Sequence, residues 1–140
     1  VARTDANTVL GFDEAIRRSN LYAEAGADII FFESPTSDEQ VEKIPDLVHA
    51  PVMLNMSEGA KTPLCNNAEI RNLGYKLVIW PSSATWAAAR AIQEIYQILK
   101  DKGTTGEDLE KLILFHEFND LIGLPEVMRL SDEYKTGTTY

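Results

Sequence analysis

Four short apolar runs of strand character, each followed by a helical pattern, predict an α/β fold: half of a (β/α)8 TIM-type barrel with further helices behind it. Three observations carry this. The runs recur about every 25 residues, close to the rhythm of a βα unit. The run ADIIFFE has no polar alternation, as a parallel strand covered on both faces requires. Finally, every run ends in polar or punctuating residues: RTDA (Arg3 to Ala6), ESP (Glu33 to Pro35), NMSEG (Asn55 to Gly59) and PSS (Pro81 to Ser83).

The opening VART reads as the first strand. In GFDEAIRRSNLYAEAG, Phe12, Ala15, Ile16, Tyr22 and Ala23 can share one helical face, and Gly26 is a stop. After the strand ADIIFFE, the segment SDEQVEKIPDLVHA begins a second helix with Ser37 or Asp38 as N-cap and acidic residues in its first turn. PVMLN is the third strand, NNAEIRNLGY a short helix ending at Gly74, and KLVIWP the fourth strand. A long helix, SATWAAARAIQEIYQILKDKG, closes at Lys100, Lys102 and Gly103. Residues 1–103 are therefore four βα units. Residues 104–140 form a helical extension in which Leu109, Leu112, Ile113, Phe115, Leu121 and Ile122 lie around an acidic face and a helix starts at Pro125. Those apolar positions fit either intrachain core or an assembly surface.

The 140 residues carry 44% hydrophobic side chains, enough for a core, and a net charge of −9. That charge repels phosphate backbones and the basic residues form no cluster, so nucleic acid is not an expected partner. No run of membrane-spanning length and no signal peptide is present, and the single Cys65 has no partner for a disulfide, so a cytoplasmic location is expected. The chain opens within a strand and without an initiator methionine, which is expected of a piece of a longer protein.

In parallel α/β folds the loops after the strand C-termini converge on one face, where ligands bind. Arg3, Asp5, Glu33, Asn55, Ser57 and Ser82 would share that rim. Each has a plainer role available: Arg3 and Asp5 as a local ion pair, Glu33 as a helix cap, Asn55 and Ser57 as turn formers, Pro81 as a strand stop.

The ordered set VARTDA, FFESP, LNMSEGAKTPL and LGYKLVIWP, continued by RAIQEIYQILKDKGTT and FHEFNDLIGLPEV, resembles the isocitrate lyase and phosphoenolpyruvate mutase superfamily, closest to its dimethylmalate lyase, petal-death-protein and methylisocitrate-lyase-like branch. The resemblance implies the C-terminal half of the barrel, a final helix packing on a neighbouring subunit of a homo-oligomer, and cleavage of a carbon–carbon bond in a 2-hydroxy or 2-keto dicarboxylate with Mg2+. It assigns Arg3 as the cation facing developing charge, a need that follows from forming a carbonyl on one fragment and negative charge on the other. Glu33 becomes a glutamate near the metal that orders its water shell, Asn55 and Ser57 bind substrate carboxylate, and Ile79 and Pro81 wall the pocket.

The chain departs from that pattern in three ways. No segment matches the metal-binding aspartates or the KKCGH loop with its catalytic cysteine, so no direct metal ligand is expected in this chain and the main ligands are expected upstream of Val1. Cys65 follows KTPL and reads as a packing residue. Methylisocitrate lyases tend to carry an arginine five residues after the strand-ending proline; Trp86 stands there, which favours a substrate with two carboxylates. His49 and His116 have no metal-ligand partner at useful spacing.

The expected function is thus part of a Mg2+-dependent carbon–carbon lyase acting on 2,3-dimethylmalate or a methylisocitrate-like acid, with the isolated chain inactive. Oxaloacetate decarboxylation or phosphonopyruvate hydrolysis is the alternative within catalysis, and a non-catalytic binding or assembly fragment is the alternative outside it.

Overall fold

A computed structural model describes residues 1–135. The elements are β1 (Ala2–Thr4), α1 (Asn7–Leu10), α2 (Phe12–Glu24), β2 (Ile30–Phe32), α3 (Asp38–Leu47), β3 (Val52–Asn55), α4 (Asn67–Asn72), β4 (Leu77–Ile79) and α5 (Ser83–Lys102). A 3-10 turn at Leu109–Lys111, α6 (Phe115–Leu121) and α7 (Leu124–Glu133) follow. The strands form one parallel sheet in the order β1-β2-β3-β4. This is the α/β arrangement expected of consecutive βα units. The chain divides into two compact units, Val1–Ala87 and Ala88–Tyr140.

In the first unit the pleat sorts the strand residues by parity, because successive side chains point to opposite faces. Ile30, Phe32, Val52 and Leu54 join Ala15, Val41, Ile44 and Ile70 in one buried cluster with the helices. Each large side chain so buried contributes about 1.5–3 kcal/mol. Phe31 and Met53, also buried, have the other parity and are absent from that cluster. The register pairs Arg3 with Phe31 and Asn55 with Ile79, so Arg3, Phe31, Met53, Asn55 and Ile79 all belong to the face away from the helical layer.

The helices form as their sequences dictate. Phe12, Ile16, Tyr22 and Ala23 of α2 pack against the core beside buried Ala15. Ser19, on the same face, is fully buried and donates to the Ala15 carbonyl at 2.8 Å, which satisfies its hydroxyl inside the helix. Of the two N-cap candidates for α3 it is Ser37 whose side chain accepts from the Gln40 N–H. In α4, Asn66 accepts from the Ala68 and Glu69 N–H groups while Glu69 accepts from the Asn66 N–H, a reciprocal capping box. The short α1 was not foreseen. It is separated from α2 by Gly11 at φ 95, a conformation that other residues adopt only under strain.

In the second unit, Lys102 pairs with Asp108 at 2.7 Å and Lys111 pairs with Glu94. The apolar stretch after Gly103 is split, the 3-10 turn ending before α6 begins at Phe115. Among the described residues, no helix is long and apolar enough to cross a membrane.

Candidate functional site

Polar side chains collect where the first three strands end. Arg3 on β1 donates to Asp5 through Nε (3.0 Å) and an NH2 nitrogen (2.7 Å), and its guanidinium lies 4.7 Å from the Phe31 ring centroid. This fork raises the arginine pKa further and holds the Asp5 carboxyl below its usual range. Glu33, two residues beyond Phe31 in the same parity, has Oε2 at 3.6 Å from the Arg3 guanidinium. That is an ion-pair distance but too long for a hydrogen bond, and Oε2 is buried with no donor. The local ion pair and the rim position therefore coexist at Arg3.

The loop after β2 is held from beneath. Ser34 takes φ 54, rare outside glycine, and donates to Glu33 Oε1 at 3.0 Å. Its own carbonyl accepts from the Asn7 amide at 2.6 Å, and Asn7 also donates to Gln40 Oε1. Asn7 is buried. It follows the RTDA run directly, and an amide at the start of a turn after a polar strand end was the available signal for it.

Asn55, the last residue of β3, is part-buried, and its Oδ1 has no donor among the described residues. Ser57 Oγ lies 3.3 Å from Ser82 Oγ. Ile79 pairs with Asn55 across the sheet, and Pro81 is exposed just beyond it. Trp86, on the first turn of α5, is 49% exposed. The structure thus joins Arg3 with Glu33 and Ser57 with Ser82 directly, while Asn55 shares the sheet face of Arg3 without touching it. Glu58 was passed over in the sequence. Its carboxylate accepts from Ser83, and its second oxygen is buried and unpaired. A carboxylate beside Ser57 in a post-strand cluster was the signal.

Cys65 is part-buried against the core; burial, then the carboxylates of Glu69, Asp38 and Glu42, push its thiol pKa up, which disfavours a thiolate. It borders a cleft of about 420 Å3 between α3 and α4. His49 and His116 are exposed. Among the described residues no group of three His, Cys, Asp or Glu side chains is placed to hold a metal ion.

The sequence model of the Phosphoenolpyruvate phosphomutase family matches residues 1–100. The 2,3-dimethylmalate lyase of Eubacterium barkeri is 42% identical over 137 residues, which is 98% of this chain and 47% of that protein. The chain therefore spans about half the length of that relative. A crystal structure of 2,3-dimethylmalate lyase, a PEP mutase/isocitrate lyase superfamily member, superposes with a TM-score of 0.87 and 31% identity over 96% of this chain and 47% of that one. Phosphonopyruvate hydrolase in complex with oxalate and Mg2+ superposes with a TM-score of 0.78 and 27% identity over 95% of this chain and 48% of that one.

Proposed function

Because this chain belongs to the phosphoenolpyruvate phosphomutase family, we propose that it supplies the strand-end rim of a carbon–carbon lyase acting on a 2-hydroxy acid of the 2,3-dimethylmalate type, with two carboxylates, or of the methylisocitrate type, with three. The observation that carries the reading is the unspent polar capacity of the rim. Glu33 Oε2 and Asn55 Oδ1 are buried acceptors without donors, within a fold whose other buried polar groups are largely paired. A 2-hydroxy dicarboxylate brings one hydroxyl donor for the unpaired Glu33 oxygen and two anionic groups for the Arg3 guanidinium and for the Asn55 amide turned NH2-forward.

In this reading Arg3 faces the charge that develops as the carbon–carbon bond breaks. Asp5 fixes the plane of its guanidinium, so little reorganisation is needed at that moment. Glu33 accepts from the substrate hydroxyl as that oxygen becomes a carbonyl. Asn55, whose amide can turn either its oxygen or its NH2 forward, and Ser57 hold a carboxylate, and Ile79 and Pro81 wall the pocket. Trp86 offers no charge-assisted bond, which suits two carboxylates rather than three.

Mg2+ belongs to the reading because a relative binds it together with oxalate. In this reading its principal ligands lie outside this chain and Glu33 stands in its outer shell. A cytoplasmic homo-oligomer completes the proposal.

Product analysis tests it. The full protein that carries these residues, supplied with Mg2+, should release a keto acid from 2,3-dimethylmalate or 2-methylisocitrate. Phosphate release from phosphonopyruvate, or decarboxylation of oxaloacetate, with no cleavage of either hydroxy acid would replace this reading with the hydrolase or decarboxylase alternative. Oxalate binding without any turnover would leave a binding module.

A further inference from the structure

Two side-chain hydrogen bonds at one sequence offset join the loop after β3 to the loop after β4. Ser57 meets Ser82, and the next residue, Glu58, accepts from Ser83; each pair is 25 residues apart. Within the strands the offset is 24, with Leu77 opposite Met53 and Ile79 opposite Asn55. The additional residue falls at Trp80 and Pro81, where a proline has no N–H to continue the ladder. The last backbone bond between the two segments runs from the Met56 N–H to the Ile79 carbonyl at 2.9 Å. Beyond it, side chains take over.

The chemistry of the two ties differs. Ser83 is the first residue of α5, so the Glu58 carboxylate sits at a helix N-terminus, where negative charge is favoured. The Ser83 hydroxyl, followed by the Glu58 backbone N–H, holds this carboxyl below its usual pKa. It therefore acts as a charged acceptor and fixes the position of residue 58. Ser82 then has one task left. When its hydroxyl donates to Ser57 Oγ, the Ser57 proton is free to point at an incoming carboxylate.

We infer that Ser82 and Ser83 are positioning residues: the Ser83–Glu58 bond sets the loop, and the Ser82–Ser57 bond aims the Ser57 hydroxyl at a substrate carboxylate. The substrate half of this inference rests on the reading of Ser57 given above. A hydroxyl so aimed contacts the carboxylate equally in the ground and transition states, so its misplacement weakens binding rather than turnover.

The test uses the full protein that carries these residues, with Ser82→Ala, Ser83→Ala and Ser83→Thr. Both alanine variants should raise KM for 2,3-dimethylmalate, and Kd for oxalate measured by calorimetry, by about tenfold while kcat stays within about twofold. Ser83→Thr keeps the hydroxyl and should restore both values. Backbone hydrogen exchange at Ser57–Ala60 reads the tie without substrate and should accelerate in Ser83→Ala. Unchanged exchange overturns the inference, and so do unchanged KM and Kd in the alanine variants of an active enzyme. If the unaltered protein neither binds oxalate nor cleaves the acid, while exchange still accelerates, the loop tie stands and the assigned reaction falls.

Discussion

The Tyr75 hydroxyl donates to the Val41 carbonyl at 2.8 Å, and that carbonyl is open because of Pro45. Four residues on in α3, Pro45 lacks the N–H that would normally close the helical bond to Val41. The tyrosine after Gly74 supplies the missing donor. Gly74 itself takes φ 97 and lies where an added Cβ would stand 3.6 Å from the Pro45 ring, so the turn before β4, the proline and the tyrosine fit as one unit.

Tyr75→Phe should therefore destabilise the folded protein by about 1–3 kcal/mol, the range for leaving a buried acceptor unpaired. Pro45→Ala restores an N–H to the same carbonyl and should reduce the loss. A double-mutant cycle on chemical denaturation measures the coupling. Additive effects would show that Tyr75 does not replace the missing helical bond.

The same tyrosine fixes an alkaline limit. Burial, with a smaller contribution from Cys65, raises its pKa above the ordinary value of 10.0. A folded-state pKa above the unfolded one gives stability that is fully present below about pH 10 and lost as pH rises toward the folded value, because the unfolded chain releases the proton first. Denaturation midpoints from pH 8 to 11 should fall at the upper end, and Tyr75→Phe should flatten that fall.

Arg3→Lys in the full protein should lower kcat by about tenfold or more and change KM by less than about threefold. An ammonium cannot reproduce the planar fork that Asp5 orients, and developing charge is more sensitive to that loss than bound substrate is. Steady-state kinetics decide it, and an unchanged kcat would remove Arg3 from the reaction.

Trp86→Arg should improve kcat/KM for a substrate with a third carboxylate by roughly ten- to hundredfold relative to 2,3-dimethylmalate, the worth of one charge-assisted bond. Competition between 2-methylisocitrate and 2,3-dimethylmalate reads the change. An unaltered ratio would show that residue 86 does not reach the substrate.

Expressed alone, the 140 residues should self-associate or remain poorly packed and show no lyase activity. β1 and β4 each have an unpaired edge among the described residues, open to pairing with another chain. Sedimentation and a keto-acid assay with Mg2+ check this. A compact, active monomer would contradict it.

What depends on near neighbours is legible along the chain: the βα alternation, the apolar face of α2, the acidic first turn of α3 with its cap at Ser37 or Asp38, and the order of polar residues at the strand ends. Short apolar runs, a 3.6-residue period and capping chemistry are written within a few positions, and the structure has those elements at those places. Tertiary structure decided the choice of partner. That Tyr75 would serve Val41, that Asn20 would donate to the Leu47 carbonyl while accepting from the His49 N–H, and that Glu58 would find Ser83 are matters of approach across 25 to 34 residues. A short side chain can bond to whatever comes within about 3 Å, and no local pattern specifies which group the packing of the sheet and helices brings there.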